Sequence, residues 1–584
     1  MKYRLYKNAT NNIYERDKIR SFLSNRGIEN PDTYLNLSIN NTYDYHLLCN
    51  MDKAVDLFRK HFEVGDEIAI LIDTDVDGYT SAAMTYLYIK QMDSHYPVKY
   101  IMHTKAKSHG LRGDVQIPED VKLLIIPDGG TNDWKECKRI SEKGIDVLIL
   151  DHHEQEKEEN KYAVVVNNQL SPDYPNKDFC GAGIVYKFLQ ALDEEYWQEF
   201  ADDYLDLVAL GNISDVMDMR SYETKYYVQK GLLNIKNKCF DALIKAQDYS
   251  ISGKISIHNI QFYVTTIING CIRYGTDEEK ELLFRAFIEQ DEFFEYNKRA
   301  TKDKPAETIQ ESIYDRAARL SKNAKSRQDK ARDKALAEIL NIIGHNFDDK
   351  KVIFLDITNV TDSVLTGLIA IKIADQFNKP CILVNGTGGS ARNFRHSPIE
   401  SFKDVINQTG IFSGQGHANA CGILGIKPDN HGAAIVKLDE ILKDVEYDST
   451  YLCDYIVDAD ELDVSLITDL SKTDDLIGQG VEEPMIAVEN ITLSKNDISV
   501  FGKNSDVISF VINDIKFVMF KCDEDNQLYS WVQDAWDDED EITFTIVGKP
   551  GINEYEGVRT PQIIIENVNI ISKTENYNSE EVEW

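Results

Sequence analysis

Hydrophobic residues near the start of the chain fall in short unbroken runs rather than in alternation. The runs are Glu67–Ile72, Val98–His103, Val121–Ile126, Asp146–Leu150 and Tyr162–Val166. Each is the length of a strand and apolar enough to be covered on both faces. Between them the spacing turns helical, as after Gly78, where Ala83, Tyr86 and Leu87 share one face. Greasy strands alternating with helices predict a parallel α/β sheet.

Residues 185 to 345 read as mostly helical, and apolar strand runs resume at Val352–Leu355 and Pro380–Val384. That recurrence predicts a second, smaller α/β domain. From about residue 484 the pattern is short strands, VISFVI, IKFVMFK, EITFTIVG and TPQIIIENV, the signature of a sandwich or small barrel. The division expected is 1–60, unplaced; 61–230, the parallel-sheet domain; 231–349, a helical connector; 350–445, the smaller α/β domain; 480–575, the β domain; and 576–584, an acidic tail.

Composition sharpens this only in places. A chain of 584 residues, 42% hydrophobic and 28% charged, has room for several cores and matches a water-soluble protein. No apolar run is long enough to span a membrane, and the polar N-terminus lacks a signal peptide's apolar core. Nine scattered cysteines without a C-x-x-C argue against a disulfide framework or a thiolate zinc site and point to the reducing cytoplasm. The net charge of −35 disfavours a nucleic-acid partner unless a basic stripe survives locally. One candidate is Lys298–Lys334, with twelve Lys or Arg against six Asp or Glu, which fits a solvated ion-paired helix and a phosphate track equally well.

The candidate chemistry lies where the strands end. Glu67–Ile72 breaks into Asp73, Asp75 and Asp77, then Gly78; Val121–Ile126 runs into Pro127 and Asp128; Asp146–Leu150 runs into Asp151, His152 and His153. Asp215 follows another apolar stretch, DLVALGNISDVM. Aspartate favours turns, which accounts for one or two of these acids. Ligands of open α/β sheets sit beyond the carboxyl ends of strands, and carboxylates gathered there need a cation or shared protons. Carboxylates with imidazole suit Mn²⁺, with Mg²⁺ as the harder alternative, and there are donors enough for two ions, an arrangement suited to phosphoester displacement.

These residues resemble the motifs of the DHH phosphoesterase superfamily, which is named for the sequence Asp151-His152-His153. DTDVDG is similar to the first motif of the RecJ single-strand exonucleases, IIPDGG to their second, and DLVALGNISDVM to their fourth. CGAGIVYKF resembles the family's Gly-rich helix start. GGSARNF and FSGQGHANACG are similar to the phosphate-binding segments of the DHH-associated domain, and GINEYEGVRTPQIIIENV to the closing strands of an oligonucleotide-binding (OB) barrel. The resemblance implies Asp75, Asp77, Asp128, His152 and Asp215 as metal ligands, with Asp73 a ligand or close neighbour. It implies that Asp151 orients the histidines, that His153 faces the scissile phosphate, and that Ser390, Arg392, Gly416 and His417 hold the strand's phosphates. In IINGCIRYG, Asn269 and Arg273 match a family N-x-x-x-R, but Ile267 stands where an Arg is common.

The activity implied is 5′→3′ hydrolysis of single-stranded DNA to mononucleotides with two Mn²⁺ or Mg²⁺ ions, in repair or recombination. A single-strand-binding protein or a helicase is the candidate partner, since the acidic chain needs recruitment to DNA. Tyr529, Trp531 and Trp536 are candidates for base stacking or for core. Two other readings compete. A small-substrate DHH enzyme, such as an oligoribonuclease or nucleotide phosphatase, often has a His where this chain has Leu71, and lacks the barrel. A non-catalytic replication scaffold would have lost acids that are all present here.

Overall fold

A computed structural model describes residues 1–574 apart from 104–108, 112–114, 157, 299, 301–304, 345–346, 348, 396, 448–449, 524–525, 535–539 and 556. Trp536 and the tail 576–584 lie outside the described residues.

The apolar runs of the first domain form one five-stranded parallel sheet. Its order is Val98–Met102, Glu67–Ile72, Val121–Pro127, Asp146–Asp151, Val164–Asn167. Ile68, Ile70, Leu123, Ile125, Leu148 and Leu150 face one buried cluster, while Ala69, Leu71, Leu124, Ile126, Val147 and Ile149 face another. Both faces are therefore covered, which is why the strands carry no polar alternation. The carboxyl ends of three adjacent central strands then converge on one edge.

The segment DLVALGNIS is the helix Leu205–Ser214, and all its residues from Asp206 to Ile213 are buried. Asp215 thus arrives at a helix C-cap rather than at a strand end. The connector is helical but includes the antiparallel hairpin Phe293–Lys298 and Glu307–Ser312, and its long helix starts only at Ile313 and runs to Ile343. Much of its positive charge is neutralised nearby. Arg319 donates to both oxygens of Glu311 at 2.7 and 2.6 Å, Arg327 pairs with Glu279 at 2.5 Å, and Lys325 pairs with Asp329.

The second α/β domain has a mixed five-stranded sheet, ordered Ser413–His417, Ala420–Leu424, Gly388–Arg392, Cys381–Asn385, Ile353–Asp356. The C-terminal sheet has seven strands, and its first, Tyr455–Asp458, lies well before residue 480, so the expected boundary moves upstream. Trp531 is buried in that domain's core with Phe510 and Phe544, as a structural residue rather than an exposed stacking platform.

The first 60 residues, unplaced by the sequence, join the first domain to the segment that leads into the C-terminal sheet. Lys2–Leu5 pairs in parallel with Thr450–Cys453, and Phe22, Leu23, Met51 and Phe58 join the core of the first domain. The Arg26 guanidinium and the Asp454 carboxylate are both fully buried and paired. Arg26 also donates to the Glu483 carbonyl at 2.9 Å, and Asp454 accepts from the Met485 amide at 3.0 Å.

Candidate metal centre and substrate cleft

The strand Glu67–Ile72 delivers Asp73, 3% exposed, to the sheet edge. The chain then turns into the helix Val76–Met92, which Asp75 caps by accepting the Gly78 amide at 3.0 Å. A Cβ on Gly78 would lie 2.6 Å from Asp73 Cβ, so glycine is what lets strand end and helix start meet. Asp77 sits in the first helical turn and accepts the amides of Gly181 at 2.7 Å and Ala182 at 2.9 Å, the N-terminus of the helix Gly181–Tyr196. Those bonds fix both of its oxygens.

Asp128 follows its strand with φ +63°, a left-handed conformation that aspartate tolerates better than most residues. Its amide is held by the Leu150 carbonyl at 2.8 Å. A Cβ on Gly181 would lie 2.5 Å from Asp128 Cβ, so a second glycine opens the space for this acid. Asp151 turns away from the cluster: Oδ1 accepts the amides of His152 (2.7 Å) and His153 (3.1 Å) and the His153 ring Nδ1 (2.7 Å), while Oδ2 accepts the Thr131 amide (3.1 Å). It is a positioning residue for both histidines.

At the centre His152 Nε2 lies 3.2 Å from Asp128 Oδ1, 3.4 Å from Asp215 Oδ2 and 3.9 Å from Asp77 Oδ2. His152 Nε2, Asp128 Oδ1 and Asp215 Oδ2 are all buried without a hydrogen-bond partner. Buried polar atoms of this kind are ordinarily satisfied. Three that converge on one point, with a carboxylate and imidazole donor set, fit a divalent cation. Burial, followed by the neighbouring acids, pushes Asp128 and Asp215 well above the usual carboxylate range and Asp77 up to about 6. Burial, followed by His153, pushes His152 down to about 3, so it is the neutral imidazole that a metal requires. Burial opposes a charge on His153, but Asp151 outweighs it and holds that ring up at about 10.

Two histidines escaped the sequence reading. His109 Nδ1 lies 2.7 Å from Asp73 Oδ2 and 3.9 Å from Asp75 Oδ2, so that Asp73, Asp75 and His109 form a second donor cluster. His103 Nε2 stands 3.9 Å from Asp73 Oδ1. His103 follows a strand of the same sheet and could have been found from that; His109 stands in a loop, and only the adjacent Gly110 hinted at a turn.

The second domain, with Arg273 from the connector, forms a wall opposite the acids. His417 Nε2 is 4.0 Å from Asp215 Oδ1, and Arg273 at the end of the helix Thr265–Tyr274 is 3.8 Å from Asp75 Oδ2. Ser390 bonds Thr366 at 2.7 Å, and Arg392 donates to the Ala391 and Cys421 carbonyls at 2.8 and 3.2 Å. A Cβ on Gly367 would lie 2.5 Å from Arg392 Nη2, so this glycine makes room for the guanidinium. Gly416 has φ +110° within the strand Ser413–His417, paired with Cys421. Lys403, which the sequence did not single out, joins this wall beside Glu154 at 3.7 Å. Of the expected substrate-side residues, His417 and Arg273 are thus brought within 4.0 Å of the acids Asp215 and Asp75.

A parallel sheet with Asp, Asp-His-His and Asp at its edge, joined to a mixed-sheet domain, defines the DHH family, to which this chain belongs. The DHH family N-terminal domain matches residues 67–212 and the RecJ OB domain matches residues 453–567. Within the family the chain is RecJ-like. It is 35% identical over 585 residues, 98% of both chains, to the prophage-derived single-strand DNA-specific exonuclease YorK of Bacillus subtilis. It is 23% identical to the single-stranded-DNA-specific exonuclease RecJ of the same organism, over 96% of this chain and 69% of that one. The fold matches RecJ of Thermus thermophilus in complex with Mn²⁺ at a TM-score of 0.73 and 16% identity, covering 98% of this chain and 79% of the other. Among the described residues no helix is long and apolar enough to cross a membrane.

Proposed function

We propose that the protein is an exonuclease that hydrolyses single-stranded DNA from the 5′ end to mononucleotides, with two Mn²⁺ or Mg²⁺ ions, in DNA repair or recombination. The carrying observation is the set of buried, unpartnered donors on Asp128, His152 and Asp215 facing a wall of Arg273, Arg392, Lys403 and His417. Acids that demand cations, opposite cations that suit phosphates, describe a phosphodiester held over a metal centre. The 35% identical relative named as a single-strand DNA-specific exonuclease supports the substrate, and the RecJ structures with Mn²⁺ and Mg²⁺ support the ions.

Asp77, Asp128, His152 and Asp215 would hold one ion, and Asp73, Asp75 and His109 lie where a second would sit. When bound, the ions supply Lewis-acid charge at the scissile phosphate and acidify the attacking water. The protein's own groups do the rest. Asp151 keeps His153 protonated and half-exposed to the cleft, where it offsets charge on the phosphoryl oxygens or gives a proton to the leaving oxygen. Arg392 and Arg273 orient the strand through planar forks that match phosphate oxygens. Recruitment of so acidic a chain to DNA falls to a single-strand-binding protein or helicase, a dependence that tight partner-free binding at physiological salt would overturn.

The test is digestion of 5′- and 3′-end-labelled single strands with Mn²⁺, beside a duplex control and a dinucleotide. Mononucleotides released from the 5′ label, with the duplex intact, are expected. A strong preference for the dinucleotide would instead support the small-substrate reading, and no activity in any arm would support the scaffold.

A further inference from the structure

The loop that follows the two histidines crosses from the first domain to the second and takes no part in the metal centre. The chain leaves His153 as Glu154-Gln155-Glu156, and Asn132 clips this segment from both sides. The Asn132 amide nitrogen donates to the Glu154 carbonyl at 3.0 Å, and its oxygen accepts the Glu156 amide at 2.8 Å. So held, the loop meets the opposite wall. Glu156 Oε1 accepts from Gln415 Nε2 at 3.2 Å, and Glu154 Oε2 lies 3.7 Å from Lys403 Nζ. Gln415 and His417 are two positions apart on the strand Ser413–His417 and so share a face. His417 looks at Asp215 from that face, while Gln415 reaches the loop.

Charge gives this bridge its meaning. In the sheet the strand Val121–Pro127 lies between Glu67–Ile72 and Asp146–Asp151. Asp75 and the Glu154–Glu156 loop therefore stand on opposite sides of Asp128, two strand spacings or roughly 10 Å apart. On the Asp75 side a phosphate meets the Arg273 guanidinium. On the loop side two carboxylates face one ammonium, and the exposed Glu158 and Glu159 follow. A phosphate there would have to take Lys403 from Glu154 and lie against Glu156, a juxtaposition of like charges. The bridge adds little to the stability of the fold, because Glu154 is 84% exposed and exposed ion pairs are weak. Its effect is on what can pass through the cleft.

We propose that Glu154 and Glu156, bridged to Lys403 and Gln415, are specificity-determining residues that act as an end stop: they admit the terminal nucleotide to the metal centre and turn back a backbone that continues beyond it. This rests on the single-strand exonuclease reading and deepens it. A strand without an end is then refused, and the bond cut is always the first one, so that each product is a single nucleotide.

The test uses the full-length protein with Mn²⁺ and compares wild type with two variants. One is the double variant Glu154→Gln with Glu156→Gln, which removes the charges; the other is Asn132→Ala, which releases the loop from its clip. Substrates are a linear single strand and a covalently closed circle of the same sequence. Wild type should release mononucleotides from the linear strand and leave the circle intact. In both variants the share of products longer than one nucleotide should rise roughly tenfold, the scale of one relieved like-charge contact, and the circle should be opened. Mn²⁺ affinity by calorimetric titration should stay at the wild-type value, which separates loss of the stop from damage to the metal centre. Mononucleotides alone and an intact circle in both variants, with the linear strand digested, would overturn the end stop and leave the exonuclease reading in place. A lowered KM for the linear strand with product length unchanged would make the loop a general repellent of DNA and would overturn the stop as well. Failure of wild type to digest the linear strand, or its opening of the circle, would overturn both readings.

Discussion

Gly211 lies inside the helix Leu205–Ser214, where alanine would ordinarily add about 1 kcal/mol through helix propensity. Here the added Cβ would lie 2.6 Å from Asp77 Oδ1, 2.7 Å from Ala182 Cβ and 3.1 Å from Thr80 Oγ1. Unstrained contacts between such atoms sit near 3.5–4.0 Å, so something must move by roughly an ångström. The Ala182 Cβ is anchored to a helix backbone whose amide already holds Asp77 at 2.9 Å, so the carboxylate and the helix carrying Asp215 are what move apart. Overpacking costs about 1–3 kcal/mol, against which the propensity gain leaves a net loss of about 0–2 kcal/mol. Misplacing a metal-facing carboxylate is the more serious effect: disturbing the groups that orient ligands typically lowers metal affinity about 10–100-fold. Gly211→Ala should therefore fold, with a slightly lowered melting temperature, yet bind Mn²⁺ at least tenfold more weakly by calorimetric titration and lose nuclease activity in step. Gly432→Ala is the control, since nothing lies within 4 Å of its would-be Cβ at the start of the helix His431–Ile441; it should leave metal affinity untouched. A Gly211→Ala protein that melts higher than wild type with unchanged Mn²⁺ affinity would refute the packing argument.

Asp454→Ala strands the fully buried Arg26 charge and should destabilise the protein by about 3–5 kcal/mol in urea unfolding, with release of Lys2–Leu5 from its partner strand visible as faster amide exchange there. Asp151→Asn removes the charge that holds His153 up at about 10, so the alkaline limb of the pH–rate profile should move down towards the ordinary histidine value near 6.5. The sign for stability runs the same way: the raised His153 contributes fully below about pH 6.5 and loses that contribution as pH rises towards 10, a slope the variant should lack in melts across that range. Removing the metal by chelation should lower the melting temperature, because Mn²⁺ binds the folded state alone. In the metal-free protein Asp77, Asp128 and Asp215 are raised and keep protons that the unfolded chain has lost, so its stability should fall as pH rises from about 4 through 6. Mn²⁺ binding should then release protons, measurable as a buffer-dependent binding enthalpy, and a buffer-independent enthalpy below pH 6 would contradict the assignment.

What could be read from the sequence was whatever local patterning controls. Strands buried on both faces must be continuously apolar, so the five runs announced the sheet, and the acids that ended three of them announced its working edge. Asp215 reached the same point by a different route: DLVALGNIS is buried on every side as a helix, and an all-round apolar stretch has no periodicity to tell helix from strand. The glycines were visible as residues but not as spaces. Gly181, Gly211 and Gly367 each matter because a carboxylate, a side chain or a guanidinium from elsewhere in the chain occupies the volume a Cβ would take. That information exists only after folding. The same holds for His109, which reaches Asp73 from a loop, and for Arg26, whose partner Asp454 lies 428 positions further along the sequence. The site's donors were therefore legible because they sit where strands stop. Its tolerances were not, because each is set by a pair of segments that only the tertiary fold brings together.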